Sequence, residues 1–278
     1  MFARLFRKTA LGLDVAGHSH VGQVRENNED SWAGQSASES STSAFGYLVV
    51  ADGMGGRLAG EVASKMAVEE VDEASQSSSI TDPESMQGLF RRINRSVHTA
   101  GQRASTSGMG TTLTVGVQSG RRLLVGHVGD SRLYLVRRRK ITQITSDHNV
   151  TAEKLAAGFI TADEALQDPQ RNILTRAIGA ESDIKCDIYE ISLKRGDRLL
   201  ACSDGLYGDL SNKVILDLAR RGSPDRASRA LVCAAYRAGG MDNITAVVAD
   251  AIPVKRTADT SQTSHEDAKT INVNRARD

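Results

Sequence analysis

The sequence predicts an α+β fold in which antiparallel sheets are covered on the outside by helices. Three observations carry this reading. Short apolar runs alternate with polar turns from about residue 11 to residue 251. Within 121–145, three such runs follow one another through tight turns, as consecutive antiparallel strands do. The long helical segments fall in pairs between strand clusters, which is not the regular alternation of a parallel sheet.

The elements follow from pattern and punctuation. Strands are expected at 11–17, 45–51, 111–117, 123–128, 131–136, 184–192, 198–203 and 244–249, where apolar runs are bounded by turn residues. Helices are expected at 58–74, 84–104, 151–157, 162–167, 213–220 and 225–238. The second is the clearest: Met86, Leu89, Phe90, Ile93 and Val97 recur at three- and four-residue spacing, and Pro83 suits a first turn. The Ser-rich segment 33–44 has no apolar periodicity and reads as a loop, and 76–79 reads as a polar helix exit. Residues 1–10 form an N-terminal extension, 11–252 the domain, and 253–278 a polar, mixed-charge tail expected to be disordered.

The 278 residues carry 35 Lys+Arg against 34 Asp+Glu, a formal net charge of +1, and only 4% are aromatic. Such a balance argues against a protein defined by a nucleic acid or an anionic membrane, and so few aromatics argue against base stacking. Cys186, Cys202 and Cys233 are far apart and odd in number, so neither a disulfide framework nor a zinc site is expected, and a reducing cytosol is the default. Cys202 sits in an apolar run and reads as a buried small hydrophobe. The basic N-terminus is not followed by a long apolar run, so neither a signal peptide nor a membrane-inserted segment is expected. The protein is expected to be a cytoplasmic monomer.

Several aspartates stand where apolar runs meet turns. Asp52 ends Tyr47-Leu48-Val49-Val50-Ala51, Asp130 ends 123–129, Asp204 ends 199–203, and Asp242 precedes Asn243-Ile244-Thr245. Glu29 and Asp30 follow Arg25 near the first strand. A run apolar at every position is buried on both faces, so its end is a fixed position derived from the interior. Carboxylates at several such ends can converge, and they repel unless a cation sits among them. Oxygen ligands without a His or Cys cluster favour Mg²⁺ or Mn²⁺ over zinc. Two such ions sharing one carboxylate could hold a nucleophilic water between them. Each Asp-Gly pair is also an ordinary turn dipeptide, so convergence rests on the joint pattern. Gly55 and Gly60 have P-loop spacing, but Glu61-Val62 replaces the Lys-Ser/Thr pair.

Seven motifs in order bring a family into view: Arg25-Glu26-Asn27-Asn28-Glu29-Asp30, Val50-Ala51-Asp52-Gly53-Met54-Gly55-Gly56, Gly108-Met109-Gly110-Thr111-Thr112, Val128-Gly129-Asp130-Ser131-Arg132, the segment from Asn172 to Gly179, Ser203-Asp204-Gly205-Leu206, and Asp242-Asn243-Ile244-Thr245. From about residue 13 to 250 the chain resembles the metal-dependent PPM, or type 2C, serine/threonine protein phosphatases in their bacterial form. The resemblance implies a four-layer αββα sandwich, with two antiparallel sheets between helix layers and a metal centre in the cleft between the sheets. It also implies two core Mg²⁺ or Mn²⁺ ions and a weaker third. Asp52 resembles the carboxylate that bridges two ions, and the Gly53 carbonyl a ligand of the second. Asp204 and Asp242 resemble ligands of the first ion, and Asp30 a second-ion residue acting through water. Asp130, with Asp204, resembles part of the third site. Arg25 resembles the phosphate clamp; it lies near the acids in sequence, so it could be held by Glu29 while contacting phosphate.

The resemblance implies hydrolysis of phosphoserine and phosphothreonine in proteins by direct attack of a metal-bridging water. The partners would be phosphorylated proteins, including a bacterial Ser/Thr kinase and its substrates. Alternatives are a partner-switching phosphatase of an anti-sigma pathway, a phosphatase of type VI secretion, and a phosphoprotein-binding pseudophosphatase. Many eukaryotic members carry His where this chain has Met54, which cannot donate a proton. His148 is a candidate donor, weighed against a plain loop histidine. Asn243 and Thr245 read as orienting residues, Gly110-Thr111-Thr112 as packing, and Trp32 as a loop anchor. Residues 146–171 correspond to the family's flap and are expected to affect phosphoprotein preference more than chemistry on a small aryl phosphate.

Overall fold

In a computed structural model, residues 10–36, 45–55, 59–77, 79–103 and 106–254 are described. Two antiparallel sheets face each other. The first contains β1 (Ala10–His20), β11 (Ile244–Val254), β10 (Arg198–Cys202), β7 (Arg132–Arg137) and β8 (Lys140–Gln143), in that order. The second runs β2 (Asp30–Gln35), β3 (Phe45–Met54), β5 (Leu113–Ser119), β6 (Arg122–Val128) and β9 (Asp187–Ser192), with the short β4 (Gly110–Thr111) paired to β3.

Strand alternation distributes the side chains into three cores. Along β3, Tyr47, Val49 and Ala51 pack under α1 (Ala59–Gln76) and α2 (Pro83–Ala100) with Met86, Phe90 and Ile93. Leu48 and Val50 point the other way and meet Leu199, Ala201, Val247 and Ala249 between the sheets. Leu200, Cys202, Ala246 and Val248 turn outward to α6 (Asn212–Ala219) and α7 (Pro224–Ala238). The layers are therefore helix, sheet, sheet, helix, as expected. α2 begins at Asp82, whose side chain accepts from the Ser85 amide, and Pro83 occupies its first turn.

The departures are local. Residues 33–35, expected to start a loop, continue β2, while 37–44 lie outside the described residues. Trp32 is a strand residue that packs on Gly17 rather than a loop anchor; a Cβ on Gly17 would come within 2.7 Å of its ring. β2 and β8 are polar edge strands with little apolar alternation, which hid them. α5 (Asp204–Tyr207), a single turn, follows the end of β10 directly. α2 stops at Ala100, and β9 begins at Asp187 rather than 184. β11 runs to Val254, pairing Ala10 with Val254, so neither residue belongs to a tail or extension. Residues 1–9 and 255–278 lie outside the described residues. No helix among the described residues is long and apolar enough to cross a membrane.

Candidate active site

The alternation that builds the inter-sheet core also places the carboxylates. Asp52 continues the parity of Leu48 and Val50 and faces the opposite sheet. Asp30 lies opposite Asp52 in the β2–β3 register, and opposed residues of antiparallel strands share a face. Ser203 and Thr245 continue the inter-sheet parity of Ala201 and Val247. Their hydroxyls donate to Asp30 Oδ2 at 2.7 Å and 2.6 Å, so Asp30 ties one sheet to the other. Because the Thr245 proton is committed to Asp30, Ser19 Oγ donates to Thr245 Oγ1 at 2.7 Å, and Asn28 Nδ2 donates to Ser19 at 2.8 Å.

Asp52 is fixed through its backbone. Its amide donates to Thr112 Oγ1 at 2.8 Å, and its carbonyl accepts from the Thr112 amide and the Thr111 hydroxyl, each at 2.9 Å. The Gly-Thr-Thr segment, expected to be packing, thus sets the position of Asp52. Gly53 allows no side chain: a Cβ would come within 2.1 Å of the Gly60 carbonyl oxygen and 2.7 Å of that of Glu29.

Asp204 opens α5, and Asp242 lies two residues before the start of β11. Buried Asn243 anchors the loop that carries Arg25. Its Nδ2 donates to the Val21 and Asn27 carbonyls, each at 2.9 Å, and its Oδ1 accepts from the Glu29 amide at 2.8 Å. Gly22, in the left-handed region at φ 84°, lets this loop lie where a Cβ would meet the Asp242 carbonyl oxygen at 2.3 Å. Arg25 is not hydrogen-bonded to Glu29 as expected; its Nη2 donates to Asp242 Oδ2 at 2.7 Å. The anchored loop delivers the guanidinium to Asp242, while the Glu29 main chain is occupied by Asn243 and Gly53.

Asp130 is held through its neighbours. The Gly129 amide donates to His148 Nδ1 at 3.0 Å, and the His148 amide donates to the Gly129 carbonyl at 2.8 Å. Tyr207 O–H donates to the Asp130 carbonyl at 3.0 Å. Since His148 Nδ1 accepts, Nε2 carries the proton, and it faces Asp187 Oδ2 at 3.2 Å. Burial, and secondarily Arg176, lower the His148 pKa. His148 is thus a buried, neutral clamp on the Asp130 turn, and its one proton is engaged away from a leaving group. Behind it His127, also buried, has its pKa pushed down to about 3, chiefly by burial.

The flap region bears α3 (Val150–Ala156) and α4 (Ala162–Ala165). Lys154 Nζ braces it by donating to Asp168 Oδ2 at 2.9 Å and Gln170 Oε1 at 2.6 Å. Phe159 and Leu166 on it are 81% and 72% exposed.

The acids form one electrostatic unit. Asp52 is held well above the usual carboxylate range by burial and then by Asp30, Asp204, Asp130 and Asp242. Burial raises Asp30 to about 7, Asp130 to about 8 and Asp204 to about 6, with neighbouring carboxylates adding to each shift. Among the described residues, no three His, Cys, Asp or Glu side chains are drawn together as a finished ligand set. Asp30 Oδ2 is engaged by two hydroxyls and Asp242 Oδ2 by Arg25. The other oxygens tell the complementary story: buried Asp30 Oδ1 and Asp204 Oδ1 have no hydrogen-bond partner. Unpartnered carboxylate oxygens amid mutually repelling acids are what hard divalent cations satisfy, so the residues fit Mg²⁺ or Mn²⁺.

The family model for Protein phosphatase 2C matches residues 16–233. The chain belongs to the protein phosphatase 2C family. Its function is that of a metal-dependent serine/threonine protein phosphatase. It is 36% identical over 239 residues to the protein phosphatase PhpP of Streptococcus pneumoniae, covering 84% of this chain and 95% of that one. It is also 36% identical over 255 residues to the serine/threonine protein phosphatase PstP of Mycobacterium tuberculosis, covering 88% of this chain but 46% of that longer protein. The crystal structure of the Mycobacterium tuberculosis PstP/Ppp phosphatase superposes with a TM-score of 0.80 at 35% identity, covering 87% of this chain and all (100%) of that one. A PstP catalytic domain in complex with two manganese ions gives a TM-score of 0.77 at 33% identity, covering 87% and 99%.

Proposed function

We propose that this phosphatase opposes a bacterial Ser/Thr kinase in the cytoplasm, acting as a monomer through the cleft at one end of its two sheets. The observation that carries this is the gathering of five aspartates from both sheets beside an arginine at the rim. In this reading Asp52, Asp204 and Asp242 would hold one ion, Asp52 with the Gly53 carbonyl and, through water, Asp30 would hold a second, and Asp130 with Asp204 would hold a weaker third. The bound ions would neutralise phosphate charge and supply the activated water that the reaction needs.

The chain's own residues do the rest. Arg25 binds the phosphate dianion, offering a planar fork matched to two of its oxygens. Asn243 and Gly22 hold that fork over Asp242. Ser203 and Thr245 keep Asp30 charged against its burial, and Thr111 and Thr112 fix Asp52. Leaving-group protonation falls to solvent, since Met54 has no proton to give and that of His148 is engaged. The segment 11–252 acts as one catalytic domain, and its flap at 146–171 selects among phosphoproteins.

The test is hydrolysis of an aryl phosphate and a phosphothreonine peptide with Mn²⁺, with EDTA, and by Asp52→Asn. Loss of both activities with EDTA and in the variant is expected; activity untouched by both would end this reading. A second setting has its own support. PppA, described as a key regulatory component of T6SS in Pseudomonas aeruginosa, superposes with a TM-score of 0.75 at 30% identity, covering 88% of this chain and 100% of that one.

A further inference from the structure

The loop that carries Arg25 is joined to the segment that leaves α7, and the seam between them exposes apolar side chains. The Gln23 amide donates to the Gly240 carbonyl at 2.7 Å, and Gln23 Nε2 donates to the Tyr236 carbonyl. Gly240, at φ 56°, permits this approach: a Cβ there would come within 3.0 Å of the Gln23 side chain and 3.2 Å of the Tyr236 carbonyl oxygen. Two residues on, Arg25 reaches Asp242. Val24 lies between Gln23 and Arg25, and Met241 between Gly240 and Asp242. Each is therefore bracketed by residues that join the loop to this segment.

Val24 is 58% exposed, Met241 61% and Tyr236 38%. The Tyr236 ring meets that of His20 edge-on, with centroids 4.8 Å apart and planes at 63°. His20 is itself fixed, since its Nδ1 accepts from the Gly22 amide at 3.0 Å. The backbone beneath these side chains is thus bonded across the seam, and they are presented by a fixed surface. A single exposed apolar residue is ordinary; three along one seam beside a guanidinium form a patch with a polar rim. Their exposed charged neighbours in the chain, Glu26 and Arg237, are of opposite sign and make no ion pair among the described residues. Asp209 Oδ2 is engaged by the Gly240 amide at 2.9 Å. Apart from Arg25 itself, the seam favours neither sign of charge.

We infer that this seam is a substrate subsite, which takes a large apolar side chain such as Leu, Ile or Phe within three positions of the phosphorylated residue. The inference rests on Arg25 as the phosphate clamp. Among the described residues Arg25 donates through Nη2 alone, which leaves the rest of its fork for phosphate. A phosphate held there fixes the substrate chain beside Val24. Successive Cα atoms are about 3.8 Å apart and an extended peptide advances about 3.3 Å per residue, so residues one to three positions away come within reach of Val24, Met241 and Tyr236. The substrate's own chain is therefore what covers the seam, because the patch is continuous with the clamp. An aryl phosphate has no such side chain, so the seam acts on the binding of peptides and proteins. It reads the immediate neighbours of the phosphorylated residue.

The test uses the full chain with Mn²⁺, an aryl phosphate and a set of phosphothreonine peptides. In the set a single Leu is moved through the three positions on each side of the phosphorylated residue, with Asn at the same position as its control. Leu at one or more of these positions should lower KM about fivefold against Asn, less than full burial of a leucine would give because the seam is open on one side. In the double variant Val24→Ser, Met241→Ser the Leu and Asn peptides should converge, while aryl-phosphate kinetics and melting temperature are unchanged. Arg25→Ala should raise KM for every substrate; an aryl-phosphate KM untouched by it would remove the clamp and the inference with it. Where the clamp does respond, equal KM values for all Leu and Asn peptides would overturn the inference alone, as would a Leu advantage that survives the double variant. So would a dimer in sedimentation that the double variant dissolves while peptide KM values stay as they were, a result that gives the seam to a second copy.

Discussion

Arg25 Nη2 donates to Asp242 Oδ2 at 2.7 Å, so the proposed phosphate clamp and a proposed metal ligand hold each other. The pair is half exposed on the arginine side, which limits its strength to about 0.2–1 kcal/mol. Releasing Asp242 by Arg25→Ala should therefore tighten Mn²⁺ binding, by up to about fivefold, while KM for phosphate esters rises. Calorimetric Mn²⁺ titration beside steady-state kinetics checks this. A variant that weakens metal and substrate together would place Arg25 in the metal site instead.

Asn243 makes three hydrogen bonds to the main chain of the Arg25 loop, and all are lost in Asn243→Ala. Leaving buried backbone groups unpaired costs about 1–3 kcal/mol each at most, so a clear fall in melting temperature is expected. The kinetic signature should be a raised KM with a smaller change in kcat, because the clamp is loosened while Asp52 keeps its threonine supports. An unchanged KM in a folded variant would remove Asn243 from the positioning role.

Asp52, Asp130 and Asp204 were legible in the sequence because each ends an apolar run, and Asp242 because it precedes one; strand parity then fixes the face on which such a residue emerges. Asp52 after Leu48 and Val50 is such a case. The hydroxyls that complete the site were not legible. Ser203, just past the end of β10, and Thr245 on β11 meet at Asp30 only through the pairing register and the stacking of the two sheets, and Ser19 on β1 joins them through Thr245. β2 escaped notice for a related reason: it is an edge strand, half exposed and Ser- and Gly-containing, so its place is dictated by β3 rather than by its own pattern. The partner of Arg25 was misassigned because Glu29 is near it in sequence, whereas Asp242 is near it in space.

Ser203 and Thr245 both donate to Asp30 Oδ2, and each bond favours the carboxylate against a burial that raises its pKa to about 7. Thr245→Val removes one donor while keeping shape, so Asp30 should hold its proton to higher pH. The expected outcome is weaker Mn²⁺ binding at pH 7, with the deficit closing as pH approaches 9. A deficit that is the same at both pH values would mean that the hydroxyl acts on shape rather than on charge.

His148 clamps the turn before Asp130 as a neutral ring with its proton facing Asp187. His148→Gln should lower stability, yet the aryl-phosphate pH–rate profile should keep the shape of its basic limb. A general acid would reveal itself by the opposite result, a basic limb lost with the imidazole.

The raised carboxylates also set how the metal-free protein responds to pH. Asp204, Asp30 and Asp130, at about 6, 7 and 8 in the fold, bind protons that the unfolded chain has released at its ordinary carboxylate pKa near 4. The folded state therefore holds more protons across that interval, and stability falls as pH rises from about 4 through about 8. His127, pushed down to about 3, works in the opposite sense: its stabilising contribution is present above about 6.5 and is lost as pH falls toward 3. The two trends meet in a stability maximum on the acid side of neutrality for the EDTA-treated protein. Adding Mn²⁺ supplies the charge that the acids lack, so the gain in melting temperature should be larger at pH 8 than at pH 5.5, and binding should release protons, measurable as a buffer-dependent heat. A metal-induced gain that is equal at both pH values would mean that the bound ion does not sit among these carboxylates.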